Sequence, residues 1–114
     1  IGPFVVGPAV ERKIGTAAFS AMTINATKWF EASWAREKGL YTEVFDTIAE
    51  MDFEIEKLAT TLSSSNPEAM EDLKKIMWQG TDHWDELLME RATSSGKLVL
   101  SDFTKNAIAK FKAK

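Results

Sequence analysis

The chain has 114 residues, 45% of them hydrophobic and 27% charged, a balance that fits one soluble, folded domain with a modest core and argues against disorder. It holds no cysteine, which excludes disulfides, thiolate metal sites and cysteine nucleophiles, and no run of 18 or more apolar residues that could cross a membrane. The net charge of −3 is unevenly spread. Residues 97–114 carry five lysines against Asp102, a local +4, and residues 1–96 carry the balancing −7. Such a basic tail can attract phosphates or an acidic partner surface, or it can only solvate an exposed helix end and complement its dipole.

In chain order, Ile1-Gly2-Pro3-Phe4-Val5-Val6-Gly7-Pro8 has neither the charged start of a signal peptide nor a polar approach. We therefore expect the chain to be a piece of something longer, a processed N-terminus being the alternative. Pro8 should begin a short helix through Ile14, stopped by Gly15, and Thr16 to Met22 a second, both rich in small residues. A helix is expected from Thr27 to Lys38, with Gly39 ending it, followed by a short β run from Leu40 to Phe45.

The clearest helical period lies between Thr47 and Leu62, where Ile48, Met51, Ile55, Leu58 and Leu62 recur at three- and four-residue steps. Asn66 should cap the next helix and Pro67 occupy its first position, with Gly80 after its end. Thr81 is the expected cap of a helix that carries Trp84, Leu87 and Leu88 and stops at Ser94-Ser95-Gly96. Ser101 should cap the last helix, which bears Phe103, Ala107, Ile108 and Phe111. The fold class is mainly α with one short strand, and no internal repeat of 20–50 residues occurs.

Candidate chemistry is sparse. His83 is the only histidine, and Asp82 and Asp85 beside it point to different helical faces, so solvation of a helix start explains them better than a metal or acid–base site. Glu50 and Glu54 share a face at i,i+4 but belong to a wet surface. Trp29 with Trp34, and Trp78 with Trp84, could pair as a ligand cage, though core or subunit contacts suit indoles better. No phosphate-binding glycine loop and no interleaving of basic with aromatic residues is present.

The segment Ala32-Ser33-Trp34-Ala35-Arg36-Glu37-Lys38-Gly39-Leu40, followed by Tyr41-Thr42-Glu43-Val44-Phe45, is the most distinctive. It resembles the Ala-x-x-Ala-x-x-x-Gly-Leu-(strand) unit of the crotonase family, the enoyl-CoA hydratases and isomerases. The order of the flanking pieces is similar as well: Ile1-Gly2, then Arg12-Lys13-Ile14-Gly15, a long amphipathic helix, Asn66-Pro67 leading to Lys74-Lys75, and a last helix from Phe103 to Lys110-Phe111-Lys112. The resemblance runs over essentially the whole chain and implies the C-terminal helical part of a crotonase-like fold. Residues 1–46 would end the crotonase core, and residues 47–114 would form a helical region for oligomerisation and for covering CoA.

What the resemblance implies further is an enolate chemistry on an acyl-CoA thioester, run by two glutamates and an oxyanion hole of two backbone N–H groups. None of these catalytic groups falls within the chain, so we expect no catalytic residue here and little activity from these residues alone. Phe103 and Lys105 are the CoA-contact candidates; the family's own lysine aligns with Asn106, one residue away. No metal and no cofactor beyond the CoA of the substrate is expected, nor nucleic acid or membrane. A homo-oligomer, a trimer in the parent enzyme, and a cytoplasmic location are expected.

The chain departs from the family pattern at Pro3 to Val10, where a Gly-Gly-x-x-Arg-Leu run is usual, and at Ser94 to Leu100, where an acidic stretch is usual. Hydratase and isomerase chemistry both stay open. The alternative class is a non-catalytic, all-helical protein-interaction module whose basic tail binds an acidic partner.

Overall fold

Side-chain caps fix where several of the helices begin. In the computed structural model, which describes residues 2–112, six helices follow one another: α1 Gly7–Ile24, α2 Ala32–Glu37, α3 Ile48–Ser63, α4 Pro67–Met77, α5 Trp84–Val99 and α6 Asp102–Lys112. Ile1 of the Ile1-Gly2 pair and Lys114 of the basic tail lie outside the described residues.

At α3, the Thr47 hydroxyl accepts from the Glu50 N–H at 3.2 Å and the Glu50 carboxylate accepts from the Thr47 N–H at 3.2 Å. This reciprocal capping box satisfies two of the donors that every helix start leaves open. Asn66 does the same for α4, its Oδ1 accepting from the N–H groups of Glu68 and Ala69, with Pro67 in the first turn as expected. At α6 the Ser101 hydroxyl accepts from the Thr104 N–H at 3.3 Å. Each of these starts lies where the sequence places it.

The expected break at Gly15 is present as a kink: Gly15 has φ 77° and ψ 158° inside α1, a conformation strained for any residue with a Cβ. The helical residues on either side run from Gly7 to Ile24, a little beyond the expected ends. α2 closes on Gly39, at φ 79°, in a Schellman arrangement: the Leu40 N–H donates to the Ala35 carbonyl at 2.8 Å and the Gly39 N–H to Arg36 at 3.0 Å.

Four expectations need correction. The helix expected over Thr27–Lys38 starts only at Ala32, because Asn25 captures the chain first: its Oδ1 accepts from the N–H and hydroxyl of Thr27, and its carbonyl from the Lys28 N–H. That Asx-type turn competes with helix for the same backbone groups. The strand expected over Leu40–Phe45 does not form, and no strand exists among the described residues. A strand needs a hydrogen-bonded neighbour, and none lies beside this segment.

Thr81 does not cap α5; its hydroxyl donates back to the Trp78 carbonyl at 2.7 Å, and His83 occupies the capping position with no side-chain bond. Nor does α5 stop at Ser94-Ser95-Gly96, since it continues to Val99. A helix tolerates an interior glycine at a cost of about 1 kcal/mol, and the chain on either side of Gly96 stays helical.

The helices share almost no core. Ala35 and Gly7 are the buried residues among those described, and α5 with α6 is the one pair of helices that pack closely along their backbones. The radius of gyration is 18.5 Å, with extents of 53 × 38 × 24 Å; a compact chain of this length would have a radius near 13 Å. Exposed surface amounts to 9581 Å², against about 6,200 Å² for a compact monomer of this mass. The apolar stripes read from the sequence exist, but most of them face outward.

Candidate functional site

The CoA-contact candidates both sit on α6. Phe103 is 85% exposed, and Lys105 is exposed with its ammonium 3.9 Å from the Asp102 carboxylate. At 100° per residue two positions apart on a helix diverge by 200°, so Phe103 and Lys105 occupy nearly opposite faces. Phe103 instead joins Ala107, Ile108 and Phe111 along a shallow apolar groove edged by Lys112. Phe103 and Lys105 thus cannot both meet one small group, and the lysine beside the aromatic surface is Lys112.

The i,i+4 carboxylates Glu50 and Glu54 are both engaged and form no free acid–base pair. The Glu50 carboxylate is committed to the capping box, and Glu54 holds the Lys57 ammonium at 3.2 Å. His83, Asp82 and Asp85 surround the start of α5 and are all exposed. Among the described residues no three histidine, aspartate or glutamate side chains come together as a metal-binding group.

Of the two expected tryptophan pairs one forms. Trp78 and Trp84 meet edge to face with centroids 5.7 Å apart, bracketing the Gly80 turn between α4 and α5. Trp34 pairs with Phe30 rather than Trp29, at 4.2 Å, while Trp29 is 94% exposed. The Asn25 turn that delays α2 is the reason, since it leaves Trp29 in an extended stretch instead of on the helix with Trp34.

Two further concavities lie among the described residues. One lies between the chain start and α1 and α5, where Phe4, Gly7, Phe19 and Ile24 form apolar walls and Glu11 and Arg91 supply opposite charges. The other lies around α2, lined by Met22, Phe30, Trp34, Ala35 and Leu40. Both are open, and the described residues leave no buried side-chain polar atom without a partner that would demand a ligand.

One tie escaped sequence reasoning. The Arg12 guanidinium donates to the Met77 carbonyl at 2.6 Å and to the Gln79 carbonyl at 2.9 Å, so α1 closes the C-terminal end of α4 more than sixty residues away. A helix end always leaves carbonyls open, but nothing local identifies which distant arginine will reach them. No family model, no curated protein and no solved structure matches the chain.

Proposed function

We propose that the chain is the C-terminal part of an acyl-CoA enzyme of the enoyl-CoA hydratase/isomerase kind, where it completes the acyl and CoA pocket and carries subunit contacts. The observation that favours this reading is the Ala32–Leu40 unit. The Schellman closure turns the chain sharply at the end of α2 on Gly39, whose φ of 79° favours glycine. The small residue Ala35, one of the two buried residues among those described, accepts both closing bonds from Leu40 and Tyr41.

On this reading the glutamates and the oxyanion N–H groups belong ahead of Ile1, and the helices after Thr47 are laid against the rest of the enzyme and its other subunits. Such an arrangement accounts for helices with apolar faces and no shared core. The chemistry would proceed through a thioester enolate, with charge developing on the carbonyl oxygen and stabilised by N–H donors outside these residues.

A titration of the 114-residue chain with CoA and a hydration assay with crotonyl-CoA test the proposal together. Weak CoA binding that falls with added salt and with Lys105→Ala, and no hydration above the buffer rate, are the expected results. Hydration well above buffer by this chain alone, or no CoA binding at low salt, counts against it. The coding sequence before Ile1 offers a second test: two glutamates about twenty residues apart after a glycine-rich oxyanion loop are expected there.

A second reading is favoured by the exposure of α6, whose apolar face and lysines suit a protein partner as well as a nucleotide. In that case the chain is a non-catalytic helical interaction module, and CoA has no affinity for it. The same titration separates the two.

A further inference from the structure

A straight helix would hold residues 7 and 19 about 18 Å apart. In α1 they touch: a Cβ built on Gly7 would stand 3.1 Å from Cζ of Phe19, and Gly7 is buried. The kink at Gly15, with φ 77° and ψ 158°, bends the second half of the helix back toward the first and brings the Phe19 ring onto Gly7.

The bend shapes a cleft of about 280 Å³ between the chain start, both halves of α1 and α5. Phe4, Phe19 and Ile24 supply apolar walls, and Glu11 and Arg91 line the same space. Clefts for drug-sized ligands run from about 300 to 1,000 Å³ and combine apolar walls with a few polar groups. This cleft has that composition at the lower limit of size, which suits a small metabolite.

The two charges decide which kind. Glu11 and Arg91 share the cleft without meeting, and neither belongs to an ion pair among the described residues. The Thr16 hydroxyl donates to one oxygen of the half-buried Glu11 at 2.8 Å, which leaves the second oxygen able to accept. The Arg91 guanidinium is a planar fork that matches a carboxylate. A simple carboxylate would meet Arg91 but be repelled by Glu11, and a simple amine would suffer the reverse. A neutral apolar molecule would take water from both charges and give neither a partner. A zwitterion answers both.

We propose that this cleft binds a free α-amino acid with a large apolar side chain. Its carboxylate meets the Arg91 guanidinium, its ammonium meets the Glu11 carboxylate, and its side chain lies among Phe4, Phe19 and Ile24. The site uses no residue of α6 and does not rest on the acyl-CoA chemistry proposed above.

The test titrates the 114-residue chain with L-leucine, following the amide resonances of α1 and α5. Three analogues each lack one feature: leucinamide the carboxylate, 4-methylpentanoate the ammonium, and glycine the apolar side chain. Leucine should bind with a Kd of about a millimolar or tighter, and each analogue at least about tenfold more weakly. Arg91→Gln and Glu11→Gln then assign the charges, the glutamine at position 11 keeping an acceptor for Thr16. In Arg91→Gln, leucine and leucinamide should bind alike; in Glu11→Gln, leucine and 4-methylpentanoate should bind alike, because the missing partner removes the advantage of the matching group. No shifts with leucine up to about 50 mM overturn the proposal. So do analogues that bind as well as leucine, or variants that keep the full preference for it.

Discussion

Gly96 offers a direct check on how α5 ends. The residue lies inside the helix, and a Cβ built on it meets nothing within 4 Å. Alanine there gains about 0.8–1.0 kcal/mol of helix propensity with no steric charge against it. Local opening of the surrounding turns should then be about four- to fivefold rarer, which is what a free energy of that size means for an equilibrium. Native-state hydrogen exchange reads this directly: the α5 amides around residue 96 should exchange about four- to fivefold more slowly in Gly96→Ala. The identical change at Gly39 should act in the opposite sense. Gly39 holds φ 79°, and a Cβ in that left-handed region costs about 1 kcal/mol or more. The space is adequate, with the nearest atom at 3.9 Å, so backbone strain is the cause. Exchange of the Leu40 and Tyr41 amides, both bonded to the Ala35 carbonyl, should quicken several-fold. If Gly96→Ala instead speeds exchange in the last turns of α5, the helix ends at Gly96 and its continuation to Val99 is refuted.

Other substitutions probe single joints of the fold. Asn66→Ala removes the acceptor for the Glu68 and Ala69 amides and should cost about 1 kcal/mol at the start of α4, seen as faster exchange at those two positions. Arg12→Ala frees the Met77 and Gln79 carbonyls. A charged donor gives about 1.5–3 kcal/mol when buried, but this one is exposed, so we expect about 1 kcal/mol, together with a shift in the emission of Trp78 between the two carbonyls. Trp29→Phe should remove the most readily quenched fraction of tryptophan emission in an acrylamide titration, because Trp29 is 94% exposed; unchanged quenching would mean that Trp29 is covered in solution.

What the sequence disclosed and what it withheld divide along a physical line. Asn66-Pro67, Thr47 and Ser101 act on amides two or three residues ahead, so their roles are contained in the local sequence and the structure repeats them. Gly15 and Gly39 are legible for the same reason, since positive φ is a property of one residue. Asn25 is equally local: a turn in which one side chain bonds the backbone two residues on competes with a helix start. Gly96 marks the reach of the local rule, since glycine weakens a helix but ends it only where the chain must also turn.

The remaining differences depend on groups that local sequence does not contain. Leu40–Phe45 has the composition of a strand and lacks a neighbour to pair with, so the same residues run as irregular chain. Arg12 finds its carbonyls across the fold, and no spacing announces that contact. The candidate site has the same character. Periodicity identifies the stripes of α3 and α6, and helical geometry separates Phe103 from Lys105, but neither says what covers the stripes. A contact that covers the Phe103 stripe leaves Lys105, nearly opposite Phe103 on α6, available to a phosphate. A Phe103→Ala variant should then weaken association far more than CoA binding, and Lys105→Ala the reverse. Equal loss of both properties in each variant would show that one face of α6 serves both and would remove the basis for assigning them separate roles.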